Sequence, residues 1–206
     1  MQLREEAIKD RKMGVILGGA IGDALGKATE SISQEEFETH FKGRITGFEK
    51  PFPKHPSSHL RPEQYTDDTQ QVLVLSNSLI EKKGFDLNHF GNGIGEWWKS
   101  QAIKEHRRYP GGTSLAAGKR LAQGVSPEES GSKTSESCGS EMRVSPIGIV
   151  YSNEHDVAVN ARLSSIPTHA SETSVEASAA TALIVHHLIR GLSPEKAVEK
   201  AIMQVK

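Results

Sequence analysis

The chain has 206 residues and a formal net charge of −1, with 25 Lys and Arg spread among 26 Asp and Glu. This length suits one domain with a buried core, and the near-neutral charge excludes the general attraction by which basic proteins bind nucleic acid or anionic membranes. The lone Cys138 excludes an internal disulfide, and the charged N-terminus is unlike a secretory signal, so we expect a cytoplasmic protein with neither nucleic-acid nor membrane partners.

The first predicted helix runs from about residue 5 to residue 28. Gly18, Gly22 and Gly26 recur at every fourth position, so they share a narrow face on which we expect another helix to pack closely. The glycines do not form a nucleotide-binding fingerprint, because no strand precedes them and the G-x-G-x-x-G spacing is absent. Later segments are also rich in helix-forming residues, which indicates an all-α fold.

A long connection without regular helix is predicted for residues 42–64, because it contains four prolines. It leads to the run Tyr-Thr-Asp-Asp-Thr at 65–69, just before the apolar stripe of Val72, Leu75 and Leu79. At about 100° per residue, Asp68 lies within about 40° of that stripe, so we expect its carboxylate to follow the buried face.

Two interpretations of this helix start remain open. Carboxylate and hydroxyl oxygens of Thr66, Asp67 and Asp68 suit a hard cation such as Mg²⁺, Mn²⁺ or Ca²⁺. Alternatively, Thr66 caps the helix and the two aspartates only complement its dipole.

The middle of the chain contains a predicted helix near residues 87–104, a glycine break at 109–114 and a helical stretch at 115–121. Residues 125–137 are rich in Ser, Glu, Gly and Lys, with almost no apolar side chain. This composition predicts a mobile, solvated loop. A further short helix is expected near Ile149.

Two helices are predicted near the C-terminus. The first spans 175–190, and its expected buried stripe consists of Ala177, Ala180, Ile184 and Leu188. His186 lies opposite that stripe and His187 at its flank, so we expect surface and boundary positions rather than ligands. The second helix starts at the cap Ser193 and has an apolar face that reaches Val205 without a stop signal. This pattern predicts that the C-terminal part of a larger fold is missing, and that the chain self-associates or pairs with a complementary chain.

Five segments, in the same order along the chain, resemble the ADP-ribosylglycohydrolase family, to which dinitrogenase-reductase-activating glycohydrolase belongs. They are Gly-Gly-Ala-Ile-Gly-Asp-Ala-Leu-Gly at 18–26 with Glu30 following, Tyr-Thr-Asp-Asp-Thr-Gln at 65–70, Tyr-Pro-Gly-Gly-Thr-Ser at 109–114, Ser-Cys-Gly-Ser-Glu-Met-Arg-Val-Ser-Pro-Ile-Gly at 137–148, and Pro-Thr-His at 167–169. No single segment is specific, but their order makes the resemblance strong.

The resemblance implies an orthogonal all-α helical bundle over residues 1–206, truncated at its C-terminus. It also implies hydrolysis of the glycosidic bond between ADP-ribose and an arginine, serine or small-molecule acceptor, so that ADP-ribose or an ADP-ribosylated protein would be the partner. Two Mg²⁺ (or Mn²⁺) ions serve the family as cofactors, with Thr66, Asp67 and Asp68 as metal ligands here. Glu30 matches the family's acid near the metals and would activate water or protonate the leaving group, unless it is only an exposed helix-end acid.

The same resemblance implies two substrate-binding segments. Gly111, Gly112 and Thr113 would bring backbone close to the ribose or phosphates, although an ordinary turn between helices has the same composition. A second segment would cover the diphosphate with backbone N–H groups and consists of Ser137, Cys138, Gly139 and Ser140. His169 would stack on the ligand or hold the loop.

One departure from the family bears on activity. The second aspartate motif, D-T-D-[ST], which supplies the remaining metal ligands, does not occur in this sequence. We therefore expect a weak or inactive hydrolase. The alternatives are a catalytically inactive ADP-ribose-binding relative and one half of a split enzyme that needs a second chain.

Overall fold

The computed structural model describes residues 2–137 and 139–205, with side chains from residue 5 onward. Over these residues the chain forms ten α-helices and two short 3₁₀ turns, Lys104–His106 and Glu141–Arg143. The helices are α1 Gln2–Gly26, α2 Gln34–Phe41, α3 Asp67–Lys82, α4 Leu87–Ser100, α5 Gly112–Ala122, α6 Pro127–Ser130, α7 Ser145–Val150, α8 Glu154–Ser165, α9 Glu172–Ile189 and α10 Pro194–Ile202. The predicted all-α fold is confirmed, since the described part of the chain has no strand beyond one isolated bridge between Ser132 and His169.

The core is built around α9, which packs against α1, α7, α8 and α10, while α4 packs against α3 and α5. Its largest fully buried apolar side chains include Leu75, Phe90, Ile94, Ile147 and Leu183. These come from α3, α4, α7 and α9, so four helices meet in one cluster. None of the described helices is both long and apolar enough to cross a membrane.

The predicted buried stripe of α9 is wrong. Its predicted members are only partly buried, and the buried positions are Ser174, Ser178, Ala179, Ala182, Leu183, His186, His187 and Ile189. Both histidines are therefore core residues, each 2% exposed, and burial lowers the pKa of His186 to about 4. The spacing of apolar residues could not identify the buried face of α9, because this helix is apolar on most sides and packs against several helices.

The polar segment 125–137 is also more ordered than its composition predicts. Ser132 N–H donates to Thr168 O at 2.9 Å, and Ala170 N–H donates to Ser132 O at 2.7 Å. The Ser130 hydroxyl, fully buried, donates to Pro167 O at 2.7 Å. Serine side chains replace apolar ones here, because each can satisfy a backbone carbonyl of the neighbouring segment.

The glycine face of α1 is exposed instead of covered by a helix. An added Cβ at Gly18, Gly22 or Gly26 would meet no described atom within 4 Å, so the close packing predicted there is not found. Other helix boundaries differ from the predicted ones by a few residues. The helices α2, α8 and the short α6 were not predicted. The connection before α3 is irregular as expected, but it buries four residues, Pro51, His55, Ser57 and Leu60.

Candidate functional site

The C-terminal end of α1 and the start of α3 border a cavity of about 510 Å³. Four carboxylates line it, two from α3, one from α1 and one from the turn after α1. Its polar lining consists of Asp23, Lys27, Glu30, Thr66, Asp67, Asp68, Thr69 and Ser145. The acid and the metal ligands suggested by the family resemblance, at positions 30 and 66–68, thus border the same cavity.

Asp23 holds the two helices in register at this cavity. Its carboxylate accepts hydrogen bonds from the hydroxyls of Thr66 and Thr69 at 2.7 and 2.6 Å. It also accepts from the backbone N–H groups of the same two threonines, at 2.9 and 3.1 Å. Asp23 was not predicted as a site residue, although it lies in the glycine-rich motif and the threonines flank the Asp pair at a three-residue spacing. An acid from one helix therefore satisfies orphan N–H groups at the start of another.

The two adjacent aspartates have different environments. Asp67 is buried, whereas Asp68, which we expected to follow the buried face, is only partly buried. The buried positions of α3 also include Gln71, Leu75 and Leu79, because the helix packs on α1, α4, α7 and the turn at 141–143.

The environment of the two aspartates disfavours the ionised form of both carboxyl groups. Burial, with the charge of Asp68 adding to it, raises the pKa of Asp67 to about 8. Burial also raises the pKa of Asp68 to about 6, with contributions from the charges of Asp23 and Glu30. Lys27 lines the same cavity, but its ammonium donates to the backbone carbonyls of Ala24 and Pro62. In such a site, ionised carboxylates are unfavourable unless a proton or another positive charge offsets them.

Thr66 acts as the helix cap, as the second interpretation of the motif proposed. Its Oγ1 accepts from Asp68 N–H at 3.4 Å and donates to Asp23. Capping does not exclude cation binding, because the hydroxyl oxygen has two lone pairs.

The donor set fits only a loosely held cation. In the described residues, no group of three His, Cys, Asp or Glu side chains is arranged to hold a metal ion. Threonines occupy both oxygens of Asp23, and Gln71 Nε2 donates to Asp67 Oδ2 at 3.2 Å. The proposed ligands Asp67, Asp68 and Thr66 keep oxygens that could face a cation, a set compatible with Mg²⁺ or Mn²⁺ that keeps several of its waters.

The predicted substrate-binding residues Thr113, Ser137 and His169 lie together in a second group. The hydroxyls of Thr113, Ser135 and Ser137 are linked at 3.0 Å each, and Ser137 Oγ lies 3.1 Å from His169 Nε2. A Cβ at Gly139 would lie 2.6 Å from His169 Cε1, so the ring packs against a position that only glycine can fill. Cys138 lies outside the described residues.

The glycine loop and Ser140 have separate positions in this region. Gly111 caps α5, and Gly112 and Thr113 border a cavity of about 490 Å³ together with Arg120. The Ser140 side chain is buried, hydrogen-bonded to Ser165 and Ser178, so only its backbone remains for the predicted role.

His169 holds the loop rather than offering a stacking face. It is 1% exposed, with Nδ1 lying 2.8 Å from Thr168 Oγ1 and Nε2 near Ser137. Burial, together with the positive charge of Arg143, lowers the pKa of His169 to about 4. A neutral ring with both nitrogens engaged anchors the serine segment.

Arg143 connects the two groups of residues. Its fully buried guanidinium donates to Gln71 Oε1 and Thr168 Oγ1, both at 2.7 Å, and to Ser164 O at 2.9 Å. Gln71 in turn donates to Asp67, so hydrogen bonds run from the aspartate cavity to His169. Through these contacts Arg143 anchors the turn at 141–143 to α3 and to the segment around Thr168.

Comparison with known proteins adds family evidence to this geometry. A family model described as ADP-ribosylglycohydrolase matches residues 4–206. The chain is 29% identical over 200 residues to an uncharacterized protein of Archaeoglobus fulgidus, with 97% of this chain and 62% of the relative covered. It is 28% identical to the ADP-ribosyl-[dinitrogen reductase] glycohydrolase of Rhodospirillum rubrum, over 95% of this chain and 63% of that protein.

Similarity extends to an animal relative and to a solved structure. ADP-ribosylhydrolase ARH3 of Homo sapiens is 28% identical, with 94% of this chain and 54% of that protein covered. A solved structure described as an ADP-ribosylglycohydrolase-related protein complex superposes with a TM-score of 0.75 at 26% identity, over 96% of this chain and 62% of that one. The chain therefore spans between about half and two thirds of the length of these relatives.

Proposed function

The chain belongs to the ADP-ribosylglycohydrolase family, and we propose that it acts on the glycosidic bond of ADP-ribosylated protein side chains or small ADP-ribosyl compounds. The observation that carries this proposal is the cavity at the end of α1, where Glu30, Asp67 and Asp68 meet. We further propose that its partner is ADP-ribose or an ADP-ribosylated protein, and that it acts in the cytoplasm.

Each residue of the cavity has a distinct part in the proposed reaction. Asp23 fixes Thr66 and Thr69, and so sets the direction in which the Asp67 and Asp68 carboxylates point. Glu30 is half-exposed at the cavity and is the group proposed to move a proton to or from water or the leaving group. Mg²⁺ or Mn²⁺ bound by Thr66, Asp67 and Asp68 would orient water and the ribose hydroxyls and stabilise charge at the reacting carbon.

We propose that the glycine loop at the start of α5 and the serine segment near His169 position the substrate. Gly111, Gly112 and Thr113 begin α5, where free backbone N–H groups and the helix dipole favour phosphate. Ser137 is hydrogen-bonded to His169, and we propose that residues 137–140 present backbone N–H groups to the diphosphate. Arg143 links this segment to Asp67 and keeps the two halves of the site in fixed relation.

Release of ADP-ribose from modified arginine and serine peptides and from a small ADP-ribosyl compound, in Mg²⁺, tests the proposal. We expect slow turnover that Asp68→Ala abolishes, because few protein oxygens are available to hold the cation and its water. Fast turnover that survives Asp68→Ala would refute the assignment of this cavity. A C-terminal segment from a full-length relative, supplied in cis or as a separate chain, should raise the rate if the missing aspartate motif limits it.

A second candidate function is ADP-ribose binding without turnover. It is favoured by the lack of a three-ligand metal group among the described residues, because binding needs the loop segments but not an activated water. Calorimetry with ADP-ribose, with and without Mg²⁺, separates the two functions. Binding without detectable hydrolysis of any of the three substrates would favour the second.

A further inference from the structure

A buried histidine next to the cavity has one ring nitrogen without a partner. His55 lies in the connection between α2 and α3 and is 5% exposed. The backbone N–H of Ser57 donates to its Nδ1 at 3.0 Å. In a neutral imidazole, a nitrogen that accepts a hydrogen bond cannot carry the proton, so the hydrogen of His55 lies on Nε2.

This Nε2–H is buried and has no hydrogen-bond partner. Its nearest carboxylate oxygen is Oε2 of Glu30, at 3.8 Å. A buried donor without an acceptor is unfavourable, whereas the Glu30 side chain is 51% exposed and can change rotamer. A displacement of about 1 Å brings the carboxylate within hydrogen-bond range of the ring.

The backbone around His55 joins two segments of the proposed site. Phe52 N–H donates to Ala28 O at 3.3 Å, which ties the histidine segment to the turn that carries Glu30. The edge of the His55 ring packs against Tyr109, with centroids 4.8 Å apart, at the start of the glycine loop. Ser31 and Tyr109 both adopt a left-handed backbone, with φ of 58° and 60°, so the tertiary contacts maintain these two turns against local preference.

We propose that His55 is a positioning residue for Glu30. Its Nε2–H donates to the Glu30 carboxylate and holds one oxygen against the protein, which leaves the other oxygen facing the cavity. The two atoms are 3.8 Å apart in the structure, so the hydrogen bond forms when the Glu30 side chain moves towards the ring. This inference rests on the proposed function only in giving Glu30 the proton-transfer role.

Nuclear magnetic resonance of ¹⁵N-labelled histidine tests the contact without any need for turnover. His55→Phe identifies the His55 signals among those of the nine histidines. Glu30→Gln keeps an acceptor oxygen, whereas Glu30→Ala removes it. We expect the Nε2–H tautomer in the wild type, and proton exchange at Nε2 that is roughly tenfold faster in Glu30→Ala than in the wild type or Glu30→Gln. An Nδ1–H tautomer, or equal exchange rates in the wild type and Glu30→Ala, overturns the proposal.

Three substitutions at His55 separate positioning from a purely structural role. His55→Gln places a donor near the position of Nε2, His55→Asn keeps an acceptor near Nδ1 for Ser57, and His55→Phe keeps the ring against Tyr109. We expect kcat to fall roughly tenfold in the Asn and Phe variants at unchanged KM, and the Gln variant to recover most of it. Equal loss in all three variants, with equal loss of thermal stability, overturns the proposal. If the wild type hydrolyses no substrate, the proposed function is wrong. The resonance experiment then still shows whether His55 donates a hydrogen bond to Glu30.

Discussion

At the scale of single residues, the environments of Asp67 and Asp68 diverge although the two are neighbours. Asp67 lies on the buried face of α3, and burial raises its pKa to about 8, whereas that of Asp68 is raised to about 6. A carboxyl group with a raised folded-state pKa stabilises the protein at low pH, and this contribution is lost as the pH rises through that pKa. The same pair is the proposed cation site, so proton and cation compete for it.

The first prediction follows from Asp67. Between pH 6.5 and pH 8, without added divalent cation, we expect the free energy of unfolding to fall by about 1–2 kcal/mol as Asp67 loses its proton in the folded protein. Asp67→Asn should remove most of this slope, because an amide does not ionise. His169 and His186, whose pKa values are lowered to about 4, stay neutral in the folded protein across this window but are partly protonated at pH 6.5 in the unfolded chain, so they offset part of the fall. The difference between the wild type and Asp67→Asn isolates the contribution of Asp67.

Urea unfolding at the two pH values measures the effect, and adding Mg²⁺ should stabilise the wild type more at pH 8 than at pH 6.5. Asp67→Ala combined with Asp68→Ala should eliminate that stabilisation. An unchanged response to Mg²⁺ in the double variant would show that the cation binds elsewhere.

A second residue-scale prediction concerns Arg143. Replacing it by Met leaves buried oxygens of Gln71, Thr168 and Ser164 without a donor, so we expect a loss of about 3–5 kcal/mol in stability. Arg61→Met is the matched control, because its side chain is 70% exposed and its pair with Glu63 lies at the surface, so its loss should have little effect on stability. Similar losses in the two variants, measured by chemical denaturation, would contradict the assigned role.

At the scale of elements, two glycines that both lie within helices have opposite effects on packing. Gly148 in α7 approaches α9 so closely that an added Cβ would lie 2.5 Å from Ala182 O. On α1, by contrast, Gly18 has open space where a Cβ would be. Helix contact thus depends on Gly148, whereas Gly18 only weakens the helix that contains it.

The third prediction compares these two positions. Gly148→Ala should destabilise the protein by about 1–3 kcal/mol, since a backbone carbonyl cannot move aside as a flexible side chain can. Gly18→Ala should stabilise it by about 0.5–1 kcal/mol through helix propensity. Thermal unfolding of both variants checks the signs, and a neutral Gly148→Ala would mean that α7 and α9 separate more easily than their packing implies.

At the scale of the whole molecule, two exposed apolar surfaces stand out in the described residues. On α1, Met13, Leu17 and Ile21 form a stripe at four-residue spacing and are 55%, 54% and 49% exposed. On and beside α10, Ile202 and Met203 are 61% and 71% exposed, while Ala197 and Ala201 of the same helix are buried. The sequence predicted the helix and its Ser193 cap, which accepts from Lys196 N–H at 3.4 Å.

The fourth prediction is self-association through the α1 stripe. Apolar side chains in a contiguous row lose more solvent contact on association than isolated ones. Leu17→Lys should therefore shift the chain towards monomer in sedimentation experiments. Ile80→Lys is the control, since Ile80 is 74% exposed and belongs to α3 instead of α1. A compact monomer at high concentration for the wild type would contradict the prediction.

Local sequence determined much of this protein. Capping residues and helical periodicity predicted α3, α9 and α10, because these signals act within one or two turns of the chain. Five ordered motifs indicated the family, and they placed Glu30 and Asp67 where the cavity is found. Such motifs are readable because a helix start or a glycine turn needs particular residues at fixed spacing.

Tertiary structure decided which face of each helix is buried and which distant side chains form hydrogen bonds with it. Asp23 binds Thr66 across 43 positions of sequence, and Arg143 reaches Gln71 across 72. His186 and His187 are buried because α9 is surrounded by helices, a fact that its own periodicity does not contain. The physical reason is that backbone hydrogen bonding is local, whereas burial and the pKa values that burial shifts depend on which distant segments pack together.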